Sequence, residues 1–179
     1  TGPNSPTLRS IRTLAYSSCT SISNIGNIMP SNIAHSGGFS SATHGYRVGG
    51  TTNYAGTASP SYLRDQIQKF PFASADSSIA TDVGELTQSR QSTGCVQTME
   101  TGYALGGVRG NPSYATYHTS QIDKIPFSSD APSTDIGGLH NAGIYQSGTS
   151  SETQGFVNTS ATPSTYSRQM TVFTFSSET

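Results

Sequence analysis

Apolar and polar residues alternate along several short stretches of this chain. In "QIQKFPF", Gln66 to Phe72, an extended backbone turns Ile67, Lys69 and Pro71 to one side and Gln68, Phe70 and Phe72 to the other. No stretch sustains a 3.6-residue apolar period, and 19 glycines and 9 prolines interrupt the sequence. The pattern predicts a nearly all-β protein of short strands. Proline removes a ladder donor, so Pro71 and Pro126 are expected at a strand end or an exposed edge.

The same order of parts recurs along the chain. "IQKFPFASADSSIATDVGEL" from Ile67 matches "IDKIPFSSDAPSTDIGGL" from Ile122 and "IRTLAYSSCTSISNIGNI" from Ile11, and "MTVFTFSSET" begins a fourth copy at Met170. Their leading residues are 56, 55 and 48 positions apart. A second element, Gly45-Tyr46, Gly102-Tyr103 and Gly155-Phe156, follows turn glycines assigned at Gly26, Gly84 and Gly137. Periods of this size mark arrays in which each unit buries its apolar face only against a neighbour. The expected organisation is one repeat domain, 1–179, with units near 11–66, 67–121 and 122–169 and a partial closing strand at 170–179.

Four strands are expected per unit, typified by "QIQKFPF", "VGELTQS", "STGCVQT" and "TGYALGG". About four strands in some fifty residues is the content of a propeller blade. The glycine doublets, Gly49-Gly50 and Gly106-Gly107, are read as structural turn glycines that take positive φ where a strand end packs closely. Three units are few for a ring of four to eight blades, so oligomerisation or a longer polypeptide is expected to complete it. A threefold β-trefoil or β-prism is the alternative architecture.

Composition narrows the partners. With 32% hydrophobic residues, 11% charged residues and a formal net charge of −1, the chain has no basic footprint for a phosphate backbone, and nucleic acid is not expected. No run of eighteen apolar residues occurs, so no membrane insertion is expected. The sequence opens at Thr1 without a charged-then-apolar leader, which suggests processing or a fragment. Cys19 and Cys95 can form at most one pair, and free thiols are the favoured reading.

Chemistry-bearing residues are scattered. His35, His44, His118 and His140 show no ligand spacing. Asp76 with Asp82, and Asp130 with Asp135, offer hard oxygens of the kind calcium takes, but turn capping is favoured over a metal. Glu85, Glu100 and Glu152 form no paired-carboxylate arrangement. No catalytic residue, metal or cofactor is therefore assigned. Tyr54, Tyr62, Tyr114, Tyr117 and Tyr166 precede the "QIQKFPF"-type segments, where exposed rings among Ser, Thr and Asn would suit a sugar or protein surface.

The order "GYRVGG", a variable loop, "IQKFPFAS" and "VGELTQSR" resembles the kelch repeat. The wording "IDKIPFSSD", "TDIGGL" and "HGYRVGG" looks like the kelch-like arrays of bacteriophage virion and tail-fibre structural proteins, over most of the chain from about Leu8 to Phe175. Kelch repeats carry a tryptophan, absent here, and an arginine, whose place Arg90 takes; the third unit has Thr159 and Ser160 where the glycine doublet would stand.

The resemblance implies a kelch-like β-propeller or propeller segment. It further implies a non-enzymatic virion fibre, appendage or decoration protein, on the virion surface or extracellular. Its loops would bind a host-surface glycan, copies of itself or other virion subunits. A kelch-type protein-interaction module is the alternative role, and a propeller enzyme the third.

Overall fold

The computed structural model describes residues 10–14, 22–27, 33–52, 60–73, 80–110, 117–143, 147–159 and 169–175. Among these residues the fold is all-β, with thirteen strands in four antiparallel sheets, a short 3-10 turn at Pro60–Tyr62 and no α-helix. The first sheet pairs β1 (Ser10–Leu14) with β2 (Ile22–Asn27). The second is a meander of β3 (Gly37–Ser40), β4 (His44–Val48), β5 (Gln66–Pro71) and β6 (Thr81–Glu85). The third repeats that order with β7 (Gly94–Gln97), β8 (Thr101–Val108), β9 (His118–Pro126) and β10 (Thr134–Gly138). The fourth joins β11 (Gly148–Ser150), β12 (Gln154–Thr159) and β13 (Gln169–Thr174).

The sheets run in a different frame from the sequence units. β5 and β6, whose segments open a unit at Ile67, finish a sheet that β3 and β4 begin. β13 likewise pairs with β12 as the third strand of the last sheet. Hydrogen bonding along consecutive hairpins sets this frame, since β4 and β5 pair across the long connection between them. Pro71 and Pro126 each close their strand, as their missing donor requires.

Both faces of the third sheet are covered. Tyr46, Val48 and Ile67 of the second sheet pack with Phe39, Leu86, Ala104 and Ile125 in one core. Across the third sheet, Val96, Tyr103, Leu105 and Ile122 pack with Leu139 and Val157 in a second. Alternation along β8 therefore sends Ala104 to one core and Tyr103 and Leu105 to the other, and Gly102 to Val108 are all buried. A strand buried on both faces shows no simple polar-out pattern.

The recurring Gly-Tyr or Gly-Phe pair follows from this stacking. A Cβ on Gly102 would lie 2.3 Å from the Phe39 ring, and one on Gly155 would lie 2.7 Å from Val96. The glycine leaves room for the preceding sheet while Tyr103 points into the next core. Gly49 and Gly50 have φ of 60° and 108°, and Gly106 and Gly107 have 58° and 107°, a conformation glycine adopts without strain.

Gly26, Gly84 and Gly137 lie inside β2, β6 and β10 rather than in turns. β6 bulges against β5 between Ile67 and Gln68, and Gly84 takes φ of 153° there. A Cβ on Gly84 would meet Ala131 O at 2.6 Å, in the connection that follows β9, so a glycine reads as a turn where it serves a bulge and a close approach.

Candidate functional site

The strand directions sort the connections onto two ends. Those after β4, β6, β8 and β10 leave the glycine-doublet end, and those after β3, β5, β7, β9 and β11 leave the other. The three first strands lie side by side, β3 next to β7 and β7 next to β11. Ser40, Gln97 and Ser150, at matching last positions, tie the row together. Gln97 Oε1 accepts from Ser40 N at 2.7 Å, its Nε2 donates to Ser40 Oγ at 3.2 Å, and its N donates to Ser150 Oγ at 2.8 Å.

Three matching turns follow these positions. The Oγ of Ser41 accepts from Thr43 N and His44 N, Thr98 Oγ1 from Glu100 N and Thr101 N, and Ser151 Oγ from Thr153 N and Gln154 N. Each hydroxyl satisfies two backbone donors that the tight reversal would otherwise leave open. An open cleft of about 540 Å³ lies over two of these turns, lined by Gln97, Thr98, Met99, Ser150, Ser151 and Glu152. Hydroxyl, amide and carboxylate groups stand beside the exposed Met99, and most of the accessible lining is apolar.

At the glycine-doublet end, Tyr62 and Tyr117 are 43% and 42% exposed. They flank the connections before β5 and β9. Tyr54, Tyr114 and Tyr166 lie outside the described residues. The Arg64 guanidinium there donates to Ser61 O, Leu63 O and Thr52 Oγ1, and Arg109 Nη1 donates to Gln88 Oε1.

Beneath this end sits a buried ion pair. Arg90 Nη1 lies 2.9 Å from Asp123 Oδ2, and both side chains are fully buried; the pair is close in charge though its N–H alignment falls short of a hydrogen bond. Arg90 Nη2 donates to Ala104 O at 3.1 Å, while Asp123 accepts from Thr87 N and Thr87 Oγ1. The Arg90 backbone bonds to Arg64 O and Gly50 N, so one residue joins the second sheet's connections to the third sheet's interior. Burial pulls the Arg90 pKa down and Asp123 opposes it.

Arg47 and Gln68 form a second buried polar pair. They lie on the face of the second sheet opposite Tyr46 and Val48, and Arg47 Nε donates to Gln68 Oε1 at 2.9 Å. Burial brings the Arg47 pKa down to about 10, with Asp82 acting the other way.

The acidic candidates do not converge. Asp82 and Asp135 stand within β6 and β10, where each Oδ1 accepts from the amide two residues on, Gly84 N at 3.4 Å and Gly137 N at 2.9 Å. Asp130 pairs with Lys69 Nζ at 2.8 Å, and Asp76 lies outside the described residues. No group of three or more His, Cys, Asp or Glu among the described residues could hold a metal. His44 shares a 2.8 Å hydrogen bond with Thr43 Oγ1, and burial, then Lys69, lowers its pKa. Cys19 lies outside the described residues; Cys95 is half-buried, and burial of its thiol pushes its pKa up to about 12, so it is protonated at neutral pH. No helix among the described residues is long and apolar enough to cross a membrane.

The turn hydroxyls and the buried pairs carried signals in the sequence. Gln68 in "QIQKFPF" and Asp123 in "QIDKIPF" fill the same place, and so do the hydroxyls of "SATH", "TMET" and "SETQ". The partners of Gln68, Asp123 and Gln97, 21 to 57 positions away, are not visible from spacing, whereas each turn hydroxyl meets amides two and three residues on. No protein-family profile and no curated protein matches the chain.

Proposed function

We propose that this chain is a segment of a kelch-like β-propeller whose role is non-enzymatic display. The observation that carries the reading is the row of first strands, β3, β7 and β11, tied side by side through Gln97 with their sheets stacked in the same sense. Stacked meanders with adjacent first strands are the arrangement of propeller blades around an axis. A rigid stack of this kind holds the longer connections at one end, where loops can vary without disturbing the cores.

The ligand fitted to that end is a neutral, hydroxyl-rich one, a surface glycan. Tyr62 and Tyr117 present flat rings, while the low charge of the chain gives no reason to favour an ionic ligand. The setting is a virion surface or another extracellular surface, as fibre, appendage or decoration. Glycan-array binding by the whole chain, lost in a Tyr62→Ala/Tyr117→Ala double variant that keeps its far-ultraviolet β signature, tests the proposal. Binding unaffected by that change, or no glycan bound at all, would remove it.

A second reading is favoured by one face. Met170 and Val172 on β13 are 65% and 51% exposed, whereas Ile122, at the place matching Met170, is buried in a core. A further sheet, from another copy or a neighbouring virion subunit, would cover this face as the third sheet covers the second.

A further inference from the structure

Neighbouring sheets meet through the same contact each time. Tyr46 of the second sheet stacks on Phe127, just past β9 of the third, with ring centroids 4.9 Å apart and planes 19° apart. Tyr103 of the third sheet stacks on Phe175, just past β13 of the fourth, at 5.3 Å and 18°. Beside the first stack, Lys69 Nζ reaches Oδ1 of Asp130, three residues past Phe127, at 2.8 Å. Lys69 is the ladder partner of Tyr46, and Lys124 that of Tyr103.

The fourth sheet offers the corresponding face with different chemistry. Phe156 stands where Tyr46 and Tyr103 stand, and its ladder partner is Val172 in place of a lysine. Met170 and Val172 are 65% and 51% exposed, while Phe173 and Phe175, from the other side of the strand, pack on the third sheet. A partner that continues the stack must bring an aromatic ring for Phe156 and an uncharged group for Val172. A carboxylate pressed against that apolar side chain would lose water and gain no cation.

The chain itself carries a hairpin that fits. β1 and β2 form a sheet of their own, in which Ile11 faces Gly26 with a bulge after Ile11. β5 and β6 pair in the same way, Ile67 facing Gly84 with a bulge after Ile67. In the sequence Tyr16 lies five residues past Ile11, as Phe127 lies five past Ile122, and Cys19 then falls at the place of Asp130. The remaining aromatic at this place, Phe72, is followed by the carboxylate of Asp76. We propose that the β1–β2 hairpin of a second copy of this chain packs on the open face of the fourth sheet, with Tyr16 against Phe156 and Cys19 beside Val172. This rests on the reading that a further sheet covers that face, and it names the sheet. The two surfaces differ, so each copy carries one of each, and association runs past two chains into a ring or a filament.

The test is a charge cycle on the whole chain, read as self-association by sedimentation velocity over a concentration series, with far-ultraviolet circular dichroism to show that each variant folds. Val172→Lys and Cys19→Asp are each expected to weaken association about tenfold, because each sets an unpaired charge against an apolar group. Val172→Lys/Cys19→Asp rebuilds between copies the pair that Lys69 and Asp130 make within one, and is expected to restore association. Recovery in the double variant is something a merely disruptive change would not give. Association lost in Val172→Lys but not recovered in the double variant would overturn the hairpin as the partner and leave the covered face standing. Association indifferent to Val172→Lys would overturn both. A chain that stays single at every concentration would overturn the second copy and leave the face to another subunit.

Discussion

At the scale of single residues, the strongest energetic statement concerns Arg90 and Asp123. Both are fully buried, and each has further hydrogen bonds, to Ala104 O and to Thr87. Removing one partner strands the other charge in a low-dielectric interior, which costs about 3–5 kcal/mol. Arg90→Met and Asp123→Asn are each expected to destabilise by about that much in urea unfolding. The double variant Arg90→Met/Asp123→Leu is expected to lose far less than the sum, because it leaves no isolated charge. Additive losses would show that the two side chains act separately.

At the scale of elements, the repeating hairpin is stabilised at its turn as well as in its ladder. Ser41, Thr98 and Ser151 occupy the same place in three hairpins, and each hydroxyl accepts from two backbone amides. Thr98→Val keeps the shape and removes the acceptor, for an expected loss of about 0.5–1.5 kcal/mol. Ser41→Ala and Ser151→Ala should behave alike. The three turns share no partner, so the losses should add in denaturant unfolding. A Thr98→Val protein as stable as the wild type would mean that water serves those amides equally well.

At the scale of the whole molecule, each sheet gains its cover from the next, so an uncovered face has consequences for assembly. The second and third sheets bury Tyr46, Val48, Tyr103 and Leu105 between neighbours, while the fourth sheet leaves Met170 and Val172 in solvent. Apolar residues scattered on a surface are common, but here they stand on a face whose counterparts form cores. If self-association uses this face, Met170→Asp/Val172→Lys will reduce the mass measured by light scattering to that of one chain. Unfolding of the dilute protein should change little, since neither residue is in a core of this chain. An assembly that survives the double change would place the contact elsewhere.

The sequence by itself determined the strands, their repetition and the places where glycine is required. These depend on local sterics: side-chain alternation, the missing donor of proline and the freedom of Gly49-Gly50 and Gly106-Gly107 at positive φ. It also held the Gln68 and Asp123 contrast in plain view. Only the tertiary structure decided which hairpins share a sheet, that Gly84 serves a bulge and not a turn, and that Arg90 meets Asp123 while Arg47 meets Gln68. The physical reason is that conformation is dictated by a residue's nearest neighbours along the chain, whereas burial and charge pairing are dictated by whatever another segment brings to it.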